Sequence, residues 1–182
     1  MTDVVFDEVL EIARRCRSVI LAGYGEPLTN PQCLPLLRAF DAEGINVAIA
    51  TNGVALTRRV ARELAALQCL TFVNVSIDSP DPEVYRAVRG GNVERALRGL
   101  RNLMAEMDPA RVVVSAVAME TTLASLVEFP ALLAALGVRR FTLQGVVDYT
   151  DYAQRHGLLE HPELGASLRE IERRCAAYGI EL

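Results

Sequence analysis

Phe72-Val73-Asn74-Val75-Ser76-Ile77-Asp78 alternates by side-chain polarity, with Val73, Val75 and Ile77 on one side and Asn74, Ser76 and Asp78 on the other. A period of two is that of a β-strand with two different faces. Upstream, Ile45, Val47 and Ile49 alternate with Asn46, Ala48, Ala50 and Asn52; downstream, Phe141 and Leu143 alternate with Thr142 and Gln144. Between these strands the apolar period lengthens to that of a helix, the pattern of an α/β protein with a parallel sheet. Central strands of a doubly wound sheet are covered on both faces and read as continuous apolar runs. Here one face of each strand is polar or small, so these faces are expected to point into a shared interior. The expected fold is α/β: a partial parallel (β/α) barrel of about five to six units, with the polar groups near the carboxyl ends of the strands, where such folds place their sites.

Working outward, five strands are expected at Ser18–Ala22, Ile45–Thr51, Phe72–Asp78, Val112–Ala118 and Arg140–Gln144. An opening helix shows Phe6, Val9, Leu10, Ala13 and Cys16 on one face. Asn30-Pro31 reads as an N-cap with proline in the first helical position, ahead of a Cys33, Leu36, Leu37, Phe40 stripe stopped by Gly44. Thr57 opens a third helix with Val60, Leu64 and Leu67 inward. Asp81-Pro82 opens a short one broken by Gly90-Gly91, and Asn92 a longer one with Val93, Ala96, Leu97, Leu100, Met104 and Met107 on its stripe. A helix from about Thr122 to Leu136, bent at Pro130, precedes the last strand. His161-Pro162 opens the final helix, with Leu164, Leu168, Ile171, Cys175 and Tyr178 on one face. No linker interrupts the series, so residues 1–182 read as a single domain.

The 182 residues carry a net charge of −4, and the 19 basic residues are all arginine, scattered rather than gathered into the basic stripe that nucleic acid requires. No apolar run approaches the ~20 residues of a membrane span. The chain reads as cytoplasmic, with neither nucleic acid nor membrane as partner. Cys16, Cys33, Cys69 and Cys175 lie 17, 36 and 106 positions apart, so none forms a C-x-x-C pair. Each sits on or beside the apolar stripe of an expected helix, where a thiol acts as a small hydrophobe.

After the first strand stands Gly23-Tyr24-Gly25-Glu26-Pro27, a turn whose glycines permit close backbone approach and whose glutamate offers an acceptor. Thr51-Asn52-Gly53 ends the next strand, Ser76-Ile77-Asp78 the one after, and YRAVRGGNVERALRGLRNL (85–103) follows. With these four motifs in order on successive β/α units, from about Val5 to about Gln144, the chain resembles the radical S-adenosylmethionine (radical SAM) superfamily. The resemblance implies a barrel core that binds SAM and a [4Fe–4S] cluster, and an oxidoreductase reaction in which SAM is cleaved to a 5′-deoxyadenosyl radical that abstracts a substrate hydrogen. It implies that Gly23, Gly25 and Glu26 meet the methionyl amine and that Ser76 and Asp78 meet the SAM carboxylate or ribose. Asn52 borders the same pocket, and Ser115, Gln144 and Gly145 are carried over on the last two strands.

One departure from the family is plain: its C-x-x-x-C-x-x-C loop, whose thiolates hold the cluster, has no counterpart among the four cysteines. The sequence therefore offers no metal ligand set, and the chain alone is expected to be inactive in the family's reaction. The family's first strand is also unmatched. The edge at Ser18–Ala22 is accordingly expected to self-associate, to bind a partner, or to have Gly179–Leu182 fold against a barrel edge. Two other functions remain open: a degenerate SAM- or nucleotide-binding module acting in a complex, and a fragment of an unrelated (β/α) barrel. The latter would want a Schiff-base lysine or a late phosphate loop, and the chain has no lysine. His156 and His161, with Asp148 and Asp151, read as surface polar residues rather than a metal site. Catalytic residues and the substrate are not legible.

Overall fold

The computed structural model describes residues 3–146 and 161–182. Helices and strands alternate as expected: α1 Asp3–Ala13, β1 Val19–Leu21, α2 Cys33–Ala42, β2 Val47–Thr51, α3 Arg58–Ala66, β3 Leu70–Ser76, α4 Pro82–Arg89, α5 Val93–Met104, β4 Val112–Ala118, α6 Glu120–Ala135, β5 Phe141–Gly145 and α7 Leu164–Ala177. The strands follow one another in the order β1-β2-β3-β4-β5, and β1 with β2, β2 with β3 and β4 with β5 pair in parallel. The fold is α/β with five parallel strands and flanking helices.

The chain divides into two compact units, Met1–Val75 with Leu97–Val112 and Ser76–Ala96 with Val113–Leu182. In the first unit, Val47, Ile49, Val73 and Val75 are fully buried, as are Leu37, Phe40 and Leu64 of α2 and α3. Full burial of an aliphatic or aromatic side chain contributes about 1.5–3 kcal/mol, so this helix-facing side carries the stability. In the same unit the Arg111 guanidinium donates to the carbonyls of Leu67 and Leu70, and the Cys69 N–H donates to Asp41 Oδ1 at 2.7 Å. In the second unit, Phe129 of α6 packs edge-on against Phe141 of β5 with ring centroids 5.5 Å apart. There the C-terminus lies along β5: Phe141 N–H donates to Glu181 O at 2.8 Å, and Glu181 N–H to Arg139 O at 2.9 Å. The last residues thus fold against the start of β5, and these contacts leave the expectation for the Ser18–Ala22 edge untouched.

Local signals placed several helix ends well. Thr57 Oγ1 accepts from Val60 N–H, Asp81 Oδ1 accepts from Glu83 and Val84 N–H, and Gly90 closes α4 in the left-handed conformation. Other expectations need correction. Asn30 does not cap α2: its Oδ1 accepts from Gln32 N–H at 2.9 Å, a side-chain turn that delays the helix to Cys33. His161 likewise closes a turn onto Glu163 N–H, and α7 starts at Leu164. Cys16 lies beyond the end of α1 and is exposed, as are Leu168 and Tyr178. The α6 helix starts at Glu120, earlier than expected, and contains Pro130.

Candidate functional site

In the first unit the chain leaves β1 through Ala22 and enters the glycine turn. Gly23 has φ +137° and Gly25 φ +98°, regions that side chains with a Cβ rarely adopt. An added Cβ at either would meet nothing within 4 Å, so backbone conformation alone calls for glycine there. Glu26 then opens a short 3₁₀ turn, Pro27–Thr29. Its carboxylate is heavily used. Oε1 accepts from Leu28 N–H at 3.2 Å and from the Thr51 hydroxyl at 2.6 Å, while Oε2 accepts from Asn52 N–H at 2.6 Å. Thr51, itself buried, also accepts from Gly53 N–H, and Asn52 Oδ1 accepts from Val54 N–H at 2.9 Å.

Glu26 thus ties the loop after β1 to the end of β2 through three of the roughly four bonds a carboxylate accepts. Among the described residues, no donor reaches the carbonyls of Gly23, Tyr24 or Gly25. A cavity of about 320 Å³ is lined by the turn together with Val9, Leu21, Cys33 and Leu36. Burial, and next the charge of Glu26, push the Cys33 thiol up to about 11, so it is neutral at physiological pH.

The second unit holds the ends of β3, β4 and β5. Asp78 is 3% exposed. Its Oδ2 accepts from Arg89 Nε at 2.5 Å, and its Oδ1 accepts from Arg89 Nη2 at 3.1 Å and from Val117 N–H at 2.9 Å. Arg89 ends α4, where a cation also meets the negative helix terminus. Burial opposes its charge, but the Asp78 hydrogen bonds and carboxylate outweigh it and hold its pKa above the ordinary arginine value. No described residue accepts from its Nη1. The Ser76 and Ser115 hydroxyls lie 3.4 Å apart, and Ile77 N–H donates to Ser115 O. Gln144 and Gly145 are exposed at the end of β5, beside Val117 and Ala118 in register.

The structure therefore brings Gly23, Gly25, Glu26 and Asn52 together in the first unit and Ser76, Asp78 and Ser115 in the second. Arg89 is the residue that sequence reasoning passed over. Its signal lay in YRAVRGG, where the arginine just before the helix-ending Gly90 follows Asp78 by one short helix. Asp148, Asp151 and His156 lie outside the described residues. Among those that are described, no group of three His, Cys, Asp or Glu side chains could hold a metal. The thiols among the described residues are one exposed and three separately buried, and this donor set does not fit a [4Fe–4S] cluster.

The four thiols differ sharply in accessibility. Cys33, Cys69 and Cys175 are buried, and burial is the leading cause that pushes each thiol up to about 11; Cys16 is exposed. Only the thiolate attacks a disulfide reagent. In Ellman's assay at about pH 8, one thiol should react quickly with the folded chain and the other three only after unfolding. Two or more fast thiols would contradict this placement.

These features define a parallel α/β protein whose candidate ligand groups stand at the carboxyl ends of its strands. The chain belongs to the radical SAM superfamily, whose family model matches residues 2–133. It is 35% identical over 132 residues to the mycofactocin maturase MftC of Mycobacterium tuberculosis, a match covering 72% of this chain and 33% of that protein. It is 33% identical over 104 residues to the AdoMet-dependent heme synthase of Methanosarcina barkeri, covering 56% and 30%. The fold matches that of Streptococcus suis SuiB bound to S-adenosylmethionine with a TM-score of 0.75 at 18% identity, over 95% of this chain and 40% of SuiB. The chain spans about a third of the length of the curated relatives it matches.

Proposed function

We propose that this chain is the SAM-recognising segment of a radical SAM enzyme. In that family SAM is cleaved to a 5′-deoxyadenosyl radical with the help of a [4Fe–4S] cluster, which this chain's cysteines do not supply. Its own residues bind and orient SAM. The observation that carries this reading is the Glu26 carboxylate, held by Leu28, Thr51 and Asn52, which fixes the glycine turn with its carbonyls free. An ammonium has three donors and no acceptor, and free carbonyls at the end of a strand are the groups it needs. Gly23 and Gly25 supply them, with the negative charge of Glu26 close behind. Asn52 fixes the rim of the same turn through its backbone and its side-chain turn. In the second unit the remaining Arg89 donors suit a carboxylate, and the hydroxyls of Ser76 and Ser115 suit ribose. Gln144 and Gly145 border that end of β5. Asp78, which already accepts three bonds from Arg89 and Val117, orients Arg89.

Charge-assisted hydrogen bonds contribute about 1.5–3 kcal/mol each, and ~1.4 kcal/mol is tenfold in affinity. Two or three such contacts with adenine burial give SAM a dissociation constant of roughly 10 μM to 1 mM without a cluster. Glu26→Gln removes the charge and turns one acceptor into a donor that faces N–H groups. It should weaken SAM about tenfold and 5′-methylthioadenosine, which lacks the amine, much less. Calorimetry with both ligands tests this. Equal loss of the two, or no SAM binding to the wild type at millimolar concentration, would sink the assignment.

A further inference from the structure

Asn74 stands in the middle of β3 between Val73 and Val75, both fully buried on the helix-facing side, and its own side chain points to the opposite face. On that face the strand register sets Ile20 beside Ala48, Ala48 beside Phe72, and Ala50 beside Asn74. Between Ile20, which is 67% exposed, and the half-buried Phe72 lie two small residues, the buried Ala48 and the half-buried Ala50. The half-buried Asn74 stands beside Ala50 in the register. Its Oδ1 is buried and has no hydrogen-bond partner, the one such side-chain atom among the described residues. No described group bonds its nitrogen either.

A buried, unpaired amide oxygen lowers stability, and a valine would fit a strand of this composition without that loss. The fold gives this amide no internal use. We propose that Asn74 reads the substrate, and that the part of the substrate laid on this face is an uncharged apolar group bearing an amide. The chemistry follows from the lining. A carboxamide has both donor and acceptor, so it pairs with another amide, and rotation about its last bond presents either atom to the open face. Ile20 and Phe72 offer apolar cover for an aliphatic or aromatic group alongside. The Ile20–Ala48–Phe72 row and the Ala50–Asn74 pair carry no charge, so an ionic group placed there would lose water without gaining a partner. The proposal deepens the SAM-binding reading by naming the chemical class of its substrate.

N-acetyl-L-phenylalaninamide serves as the probe, with the chain saturated with SAM. In a proton–nitrogen correlation spectrum, the side-chain amide signal of Asn74 should move on addition of the probe. Asn74→Val should weaken the probe about tenfold while raising the urea midpoint, since the unpaired oxygen is gone. A structural asparagine would not give this opposed pair of effects. No movement of the Asn74 signal at about 10 mM probe, which would saturate a ligand of ~1 mM affinity, overturns the proposal. So does equal probe affinity in the variant and the wild type, or a lower urea midpoint in the variant. A SAM titration of the wild type separates the two levels. SAM binding with failure of the Asn74 test removes this inference alone. Absence of SAM binding removes the reading of the glycine turn, and the Asn74 result, taken without SAM, then decides the amide site on its own.

Discussion

Gly99→Ala should be among the most damaging single substitutions in this chain. A Cβ on Gly99 would lie 1.9 Å from the carbonyl oxygen of Gly53, 2.9 Å from its carbon and 3.1 Å from Leu56 Cβ. These are mostly backbone atoms, so no side-chain rotation relieves the overlap. Either α5 or the loop after β2 must move by about an ångström, and overpacking of this kind costs about 1–3 kcal/mol, with the upper end expected where backbone must yield. A second contact fixes the same loop: Asn102, one helical turn on, donates from Nδ2 to Leu56 O at 2.8 Å. Because Asn52 N–H and Thr51 hold Glu26 from the start of that loop, the damage should reach the glycine turn. The urea midpoint should fall, and SAM affinity should fall with it. Gly165→Ala is the control of opposite sign. Its Cβ would meet only the far end of the Arg169 side chain, at 3.4 Å, and exchanging glycine for alanine in an exposed helix stabilises by about 0.5–1 kcal/mol. Unchanged stability in Gly99→Ala would show that the approach of α5 to the loop is looser than described.

The contrast between what sequence made visible and what it hid follows the range of each interaction. The caps at Thr57 and Asp81 act over three residues, and the stop at Gly90 depends on its own backbone, so each leaves a local mark. The two-faced character of β3 was equally plain: Val73 and Val75 are fully buried, and Asn74 and Ser76 are not. Asn30 misled because the same side chain serves an N-cap or a turn, and only the geometry of Gln32 decides between them. The contacts that define the site lie much further apart in the chain. Glu26 reaches Thr51 and Asn52 across 25 and 26 residues, and Asp78 reaches Val117 across 39. Gly99 meets a carbonyl of another element, and no periodicity announces such an approach. The motif GYGEP was therefore legible as a turn with a carboxylate, whereas its glutamate as a strut was not. In 85–103 the physical content resides in Arg89, Gly99 and Asn102, whose partners Asp78, Gly53 and Leu56 all lie outside that stretch.

The pairing of Asp78 with Arg89 makes a second large effect testable. Asp78→Ala leaves a guanidinium whose side chain is only 30% exposed without its two acceptors, and leaves Val117 N–H unbonded. Removing one partner of a buried ion pair costs about 3–5 kcal/mol. The lower end, about 3 kcal/mol, is expected because Arg89 keeps some contact with water. A milder exchange then separates structure from recognition. Asp78→Asn keeps one acceptor for Val117 but sets an amide N–H₂ against an Arg89 donor, so the fork loses its fixed aim while the chain stays folded. Arg89→Lys removes the planar fork altogether and keeps the charge. If Asp78 acts through Arg89 on the SAM carboxylate, both variants should weaken SAM by about tenfold and leave 5′-methylthioadenosine, which has no carboxylate, nearly unaffected. If Asp78 instead met ribose, Asp78→Asn would weaken both ligands and Arg89→Lys neither to the same degree. Calorimetry on the two variants with the two ligands distinguishes these patterns, and a parallel loss of both ligands in Asp78→Asn would return the ribose to Asp78 and leave Arg89 as its structural counter-ion.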